Sequence, residues 1–240
     1  MEWSEDAIIL GARRHGEGDT ILEVMTCERG RHAGLVRGGR SKRLRPVLQA
    51  GNSVTVTWRA RLEEHLGMFT VEPVALRAAQ LMHDRSTLLM ANLLCSYALL
   101  LPERDPHPRL FDGLVGYLEA LPEGRAMAET LLRFELLLLE ELGFGLDLTC
   151  CAATGATQDL TYVSPKTGRA VSRDAGTPYH QKLLALPGFV LDETPAGSPS
   201  QEDWQAAFHL TGFFLQRHVF EPRGIPVSES RASLIKAICV

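Results

Sequence analysis

The chain contains no Cys-x-x-C pair. Its five cysteines (Cys27, Cys95, Cys150, Cys151 and Cys239) are an odd set whose only close members are adjacent. That pattern excludes a disulfide framework and fits a reducing cytoplasm. Four Cys or His ligands at short spacing, the usual structural zinc set, are also missing; Cys150, Cys151 and His180 come nearest to one. No secretory leader is expected either, since MEWSEDAIIL has three acids among its first six residues where a signal peptide has a basic flank. The longest stretch without formal charge, Ser86 to Pro102, contains Asn92 and Ser96 and falls short of the ~20 apolar residues a membrane span needs. It is expected to be a buried core helix.

Catalytic signatures are absent as well. No GxxxxGK[ST], HExxH or GxSxG occurs. KTG at Lys166 to Gly168 and the Ser-x-x-Lys at Ser233 and Lys236 stand in the wrong order for a penicillin-binding signature, and no SDN accompanies them. The neighbouring pairs Glu63/Glu64 and Glu140/Glu141 diverge on a strand or helix and read as solvated surface. The expectation is a protein that is not an enzyme and carries neither cofactor nor metal.

What is present is an ordinary soluble, globular composition, with 45% hydrophobic and 22% charged residues. The length allows one large domain or a few small ones. A net charge of −4 argues against an indiscriminate polyanion binder, but the charge is unevenly spread. Residues 1–80 hold 12 Lys/Arg against 10 Asp/Glu, whereas residues 81–240 hold 13 against 19. From Arg29 to Arg61 there are nine bases and no acid.

Within that block, RGGRSKRLR combines backbone freedom at Gly38 and Gly39 with closely spaced cations, and such a loop can follow a phosphate chain. Each neutralised phosphate releases a counterion, so binding would be salt-dependent and largely indifferent to sequence. The candidate DNA-contacting set is Arg13, Arg14, Arg31, Arg37, Arg40, Lys42, Arg43, Arg45, Arg59 and Arg61. Trp58 could add a stacking platform if it faced outward, but its alternation with Val54 and Val56 places it inward.

Periodicity divides the chain into regions. AIILGARR, TILEVMT, HAGLVRG, SVTVTWRAR and LGMFTVEPV are short β-rich runs separated by Gly-containing turns. Five strands in so short a span suggest a closed barrel, most economically an OB-fold, with an SH3-like barrel as the near alternative. A 3.6-residue period follows, giving helices near Arg85 to Leu101, Leu110 to Ala120 and Arg125 to Leu142, the last stopped by Gly143 and Gly145. An irregular stretch comes next, then the Pro/Ser/Gly-rich loop ETPAGSPSQED, with Ser200 as a helix-start residue. Helices near Trp204 to Val219 and Glu229 to Ala237 complete the chain.

DAIILGARRHGEGDTILEVMT, GRHAGLVRGGRSKRLRPVLQAGNSVTVTWRARLEEHLGMFTVEP and YVSPKTGRAVSRDAGTPY together resemble the RecO family of bacterial recombination mediators, over about residues 5 to 238. The resemblance implies an α+β, multi-domain protein: an N-terminal OB-fold β-barrel followed by a helical domain with a zinc-finger-like insertion. The corresponding divisions are 1–78 for the barrel, 79–147 for the first helical part, 148–180 for the insertion and 181–240 for the second helical part. It further implies a non-enzymatic repair function: binding single- and double-stranded DNA, annealing complementary strands, and acting with RecR to load RecA on DNA coated with single-strand-binding protein. A cytoplasmic, nucleoid-associated location and no membrane partner go with that role.

Some members of the family carry four zinc-binding cysteines. Setting Cys151 at the first position places Thr154, Ser172 and Ala175 at the others, so most ligands are missing and packing around Leu160, Tyr162 and Val163 would have to replace the metal. The acidic C-terminal tail of single-strand-binding protein, ending in a hydrophobic residue and a carboxylate, calls for an apolar groove with a cation at its rim. Arg125, Arg133, Leu132 and Leu136, with Leu139, are the sequence candidates. The competing reading from another class is a protein-protein adaptor whose basic barrel docks on an acidic partner without binding DNA.

Overall fold

The computed structural model describes residues 1–191, 198–226 and 229–239. Residues 192–197, which include the first five of the expected Pro/Ser/Gly-rich loop, lie outside the described residues. The chain divides into two compact units, Met1–Glu123 and Gly124–Val240. The first three helices therefore belong with the barrel, so the division falls inside the helical region that the periodicity suggested as one block.

The first unit is built on five strands: β1 (Glu2–His15), β2 (Asp19–Thr26), β3 (Gly30–Val36), β4 (Ser53–Arg59) and β5 (Met68–Ala75). They close in the order β1-β2-β3-β5-β4. β1 is long enough to serve two neighbours, its first half pairing with β4 (Glu2 opposite Arg59) and its second with β2 (His15 opposite Asp19), with a register shift between Ile9 and Gly11 where it bends. A single parallel pairing, Leu35 with Met68, closes the barrel. That closure is the OB-fold's, not that of an SH3-like barrel.

Alternation sends Val54, Val56 and Trp58 inward, where they join Ile9, Leu22, Val24, Val36 and Phe69 in one core. Trp58 is 1% exposed, and its Nε1–H donates to the Leu66 carbonyl at 3.0 Å. Short helix α1 (Ala78–Leu81) leads into α2 (Arg85–Ala98) and α3 (Pro108–Ala120). Asp84 caps α2 by accepting from the Thr87 N–H at 2.7 Å. The charge-free stretch is indeed a core helix: Met90, Leu93, Leu94, Cys95 and Tyr97 are all buried. No helix among the described residues is long and apolar enough to cross a membrane.

The second unit begins with α4 (Gly124–Glu141), which buries Leu131, Leu132, Phe134, Leu138 and Leu139. A small antiparallel sheet follows, in the order β7 (Ala170–Ser172), β6 (Leu160–Val163), β8 (Leu184–Ala185), with a one-turn helix α5 (Arg173–Gly176) after β7. α6 (Gln201–Leu215) starts at Ser200, whose hydroxyl and backbone exchange hydrogen bonds with Asp203 in a capping box. α7 (Glu229–Ile238) packs against α4. The buried carboxylate of Glu135 accepts from Arg231 Nε at 2.7 Å and Nη2 at 2.8 Å, and also from the Thr211 hydroxyl, tying α4, α6 and α7 together.

Candidate nucleic-acid interface

The loop between β3 and β4, residues 37–52, is pinned at several points. The Gly38 N–H donates to Asp19 Oδ1 at 2.8 Å and the Arg40 N–H to the Gly18 carbonyl at 3.1 Å. Gly39 presses against β2 so closely that a Cβ there would lie 2.6 Å from Thr20 Oγ1. Ser41 starts a helical turn, its Oγ accepting from the Leu44 N–H and its carbonyl from the Arg45 N–H. This turn drives Leu44, Val47 and Leu48 into the barrel core. Asn52 is fully buried and uses its whole carboxamide: Nδ2 donates to the Pro46 and Val47 carbonyls, while Oδ1 accepts from the Arg77 and Ala78 N–H groups.

The apolar side of the loop is thus consumed and its cations are left outside. A groove of about 450 Å³ runs between the loop and the β1–β2 hairpin, lined by Arg13 and Arg14 of β1 and Arg40 and Arg45 of the loop, with Thr20, Gly39 and Gln49 and without any carboxylate. Arg40 is aimed by an Nη1–H donated to the Glu17 carbonyl at 2.6 Å. Arg37, Lys42 and Arg43 are exposed on the same loop, and no ion pair involves them among the described residues. Four guanidinium groups around an acid-free channel can neutralise several phosphates at once and offer planar forks to their oxygens.

Three members of the candidate set lie elsewhere. Arg31 is largely buried and committed: Nε donates to the Leu101 carbonyl, and the guanidinium pairs with Glu23 at 3.1 Å and Glu103 at 3.6 Å. It fastens β3 to the segment after α2. Arg59 pairs with Glu2 at 2.7 Å on the surface, an exposed contact of little energetic weight. Arg61 is exposed on the segment after β4. Sequence reasoning missed Asn52, which looks like any loop asparagine until its four backbone partners are seen.

In the second unit, the sequence-derived tail groove on α4 is not assembled as an open surface. Leu132 is 1% exposed, and Arg133 donates to the Val190 and Phe189 carbonyls at 3.1 and 3.3 Å. Arg125 is exposed and Leu136 half-buried.

Three of the four positions set against the zinc cysteines, Cys151, Thr154 and Ser172, draw together. Ser172 Oγ donates to Cys151 Sγ at 3.4 Å, and the Cys151 N–H and carbonyl close a tight turn over residues 151–156. Burial raises the Cys151 thiol, but hydrogen bonds from Ser172, Thr154 and the Ala153 N–H outweigh it and bring the thiol down to about 6. One thiol with two hydroxyl groups is not a zinc donor set, and no group of three or more metal-ligating side chains occurs among the described residues. The residues present do not fit the metal; Leu160 and Val163, both buried, and Gly176, against the Tyr162 ring, pack the segment instead.

Comparison with known proteins agrees with this architecture. A family model described as Recombination protein O N terminal matches residues 1–77, and one described as Recombination protein O C terminal matches residues 82–224. The chain is 55% identical to the DNA repair protein RecO of Rhizobium leguminosarum bv. trifolii (strain WSM2304), over 99% of this chain and 92% of that protein. It is 53% identical to the DNA repair protein RecO of Chelativorans sp. (strain BNC1) and 52% identical to that of Brucella abortus (strain 2308), in both cases over 99% of this chain and 96% of the relative. The chain belongs to the RecO family of DNA repair proteins.

Proposed function

We propose that this protein is a non-enzymatic mediator of DNA repair and homologous recombination that binds single- and double-stranded DNA through the Arg13, Arg14, Arg40 and Arg45 groove. It anneals complementary strands and, with RecR, promotes RecA loading on DNA coated with single-strand-binding protein, in the cytoplasm at the nucleoid. The observation that carries the reading is the acid-free groove lined by four arginines in a chain whose net charge is −4. Annealing needs no bond to be made or broken. Complementary strands repel through their phosphates, and cations on one barrel screen both and raise their local concentration; base pairing does the rest.

The adaptor reading predicts no affinity for nucleic acid. Fluorescence anisotropy of a labelled oligonucleotide at two salt concentrations separates the two: salt-dependent binding supports the mediator, and absence of binding at low salt overturns it.

For the tail of single-strand-binding protein, the groove flanked by α6 and α7 fits the required chemistry better than the face of α4. It encloses about 650 Å³ between Phe208, Phe213, Phe220 and Ile235, with His209 and Lys236 also lining it. Apolar walls suit the tail's hydrophobic end, and the exposed Lys236 ammonium suits its carboxylates.

A further inference from the structure

A second cavity in the first unit has a different character from the arginine groove. β4 leaves the basic loop at Ser53 and carries Trp58 five residues on, ~17 Å along the strand. There the barrel interior turns aromatic. Trp3 of β1, Trp58 of β4 and Phe69 of β5 are successive cross-strand partners, and His32 of β3 completes the cluster. Trp3 and Trp58 are stacked with ring centroids 5.9 Å apart and planes 20° from parallel, and His32 meets each edge-on at 5.1 Å. Trp3 is half-buried. A cavity of about 260 Å³ opens against Trp3, Trp58 and His32, less than the ~300 Å³ at which drug-sized ligand sites begin.

Its lining also carries charge of both signs, the carboxylates of Glu2, Glu28 and Glu63 against Arg29 and Arg104. The His32 Nδ1 lies 3.1 Å from the Ala33 carbonyl, which can only accept, so the proton sits on Nδ1 and Nε2 is an acceptor in the neutral ring. Arg104 supplies a donor: its Nε is buried without a hydrogen-bond partner, although Nη2 donates to the His65 carbonyl at 2.9 Å. The Arg104 backbone is in the left-handed region, with φ at 63°, held by its N–H donating to the Arg31 carbonyl at 2.8 Å. A strained non-glycine residue beside an orphaned donor is what a binding site retains. At the mouth, Arg29, whose guanidinium lies over the Trp3 ring at 5.1 Å, is offset by Glu2, Glu28 and Glu63.

A mixed mouth of this kind does not select phosphate. Indole surface with one donor and one acceptor suits an uncharged planar ring carrying both kinds of group. We propose that this aromatic cavity, walled by Trp3, Trp58, His32 and Arg104, takes up one unpaired nucleobase of a single strand while phosphates remain on the arginine groove. This assignment rests on the DNA-binding reading above. It adds a preference for strands whose bases are free, which the groove alone does not supply.

The test compares a thymidine oligomer with an abasic strand of equal length in fluorescence anisotropy. Wild-type protein should prefer the thymidine oligomer; Trp3→Ala should weaken that binding roughly tenfold and leave the abasic strand unchanged. Trp3→Phe should restore most of the preference, and Arg104→Ala, which spares the core, should reduce it. The Arg40→Ala, Lys42→Ala, Arg43→Ala triple variant should weaken both strands alike. Wild-type base preference in both Trp3→Ala and Arg104→Ala overturns the cavity and leaves the groove standing, whereas failure of wild-type protein to bind either strand overturns the DNA-binding reading itself. Thymidine 5′-monophosphate binding as tightly as the oligomer would make the cavity a mononucleotide site and overturn the assignment to a strand.

Discussion

The side-chain amide of Asn52 donates to the Val47 carbonyl at 2.9 Å, and through that bond a fully buried residue at the root of β4 holds the basic loop in place. Asn52→Ala leaves the Pro46 carbonyl and the Arg77 and Ala78 N–H groups without their side-chain partner, while the Val47 carbonyl keeps the Gln49 N–H at 2.9 Å. Stranding buried polar groups costs about 1–3 kcal/mol each when water cannot reach them. A loss of about 2–4 kcal/mol in urea unfolding of the first unit is expected, allowing for partial rehydration. A loss below about 0.5 kcal/mol, the range of inert surface changes, would contradict it.

His32 gives the barrel a pH dependence of definite sign. Burial lowers its pKa from the ordinary 6.5, and the nearby Arg104 and Arg29 act in the same direction. The unfolded chain therefore takes up this proton before the folded one does. The stability it contributes is complete above pH 6.5 and is lost as pH falls through the lowered folded value. Denaturation midpoints at pH 7 and pH 5 should differ more in the wild-type protein than in His32→Gln, and equal differences would refute the assignment.

Metal content follows from the donor set around Cys151. With Ser172 and Thr154 as its hydrogen-bond partners, elemental analysis should find well under one zinc per chain. The thermal midpoint should not respond to chelator, because metal-coupled folding requires ligands that bind the metal. Stoichiometric zinc would overturn this.

The proposed docking of a single-strand-binding protein tail can be tested on two surfaces. Lys236→Glu should abolish binding of a tail peptide by calorimetry, since it sets a carboxylate beside an acidic ligand in the groove between α6 and α7. Arg133→Glu should act on stability and not on the peptide, because Arg133 is bound to the Phe189 and Val190 carbonyls. The reverse result would return the site to α4.

Much of the fold was legible because local pattern and tertiary environment agree. The alternation of Val54, Val56 and Trp58 announced a half-buried strand, and Ser200 announced a helix start that the capping box with Asp203 fulfils. The basic loop was legible as a charge asymmetry, and its glycines as places of backbone freedom; that Gly39 is small because Thr20 lies against it depends on tertiary packing. Arg31 looked like its neighbours in composition, yet Glu23, on the paired strand β2, and Glu103, far along the chain, commit it to structure. The Glu135–Arg231 pair spans 96 residues, a separation at which no periodicity reports a contact. Trp3 was silent for a similar reason: its meaning comes from the β1–β4 register that sets it beside Trp58.

The measurement that bears most directly on DNA binding at the basic loop is the salt dependence of single-strand affinity in wild-type protein and in the Arg40→Ala, Lys42→Ala, Arg43→Ala variant. Plotted as log K against log salt, the wild-type slope should be steep, and the variant's shallower by about 0.7 for each phosphate contact removed, up to roughly 2 in all. Affinity should fall to a similar extent for every sequence tested. A folded variant with the wild-type slope and affinity would contradict the assignment of DNA to this loop.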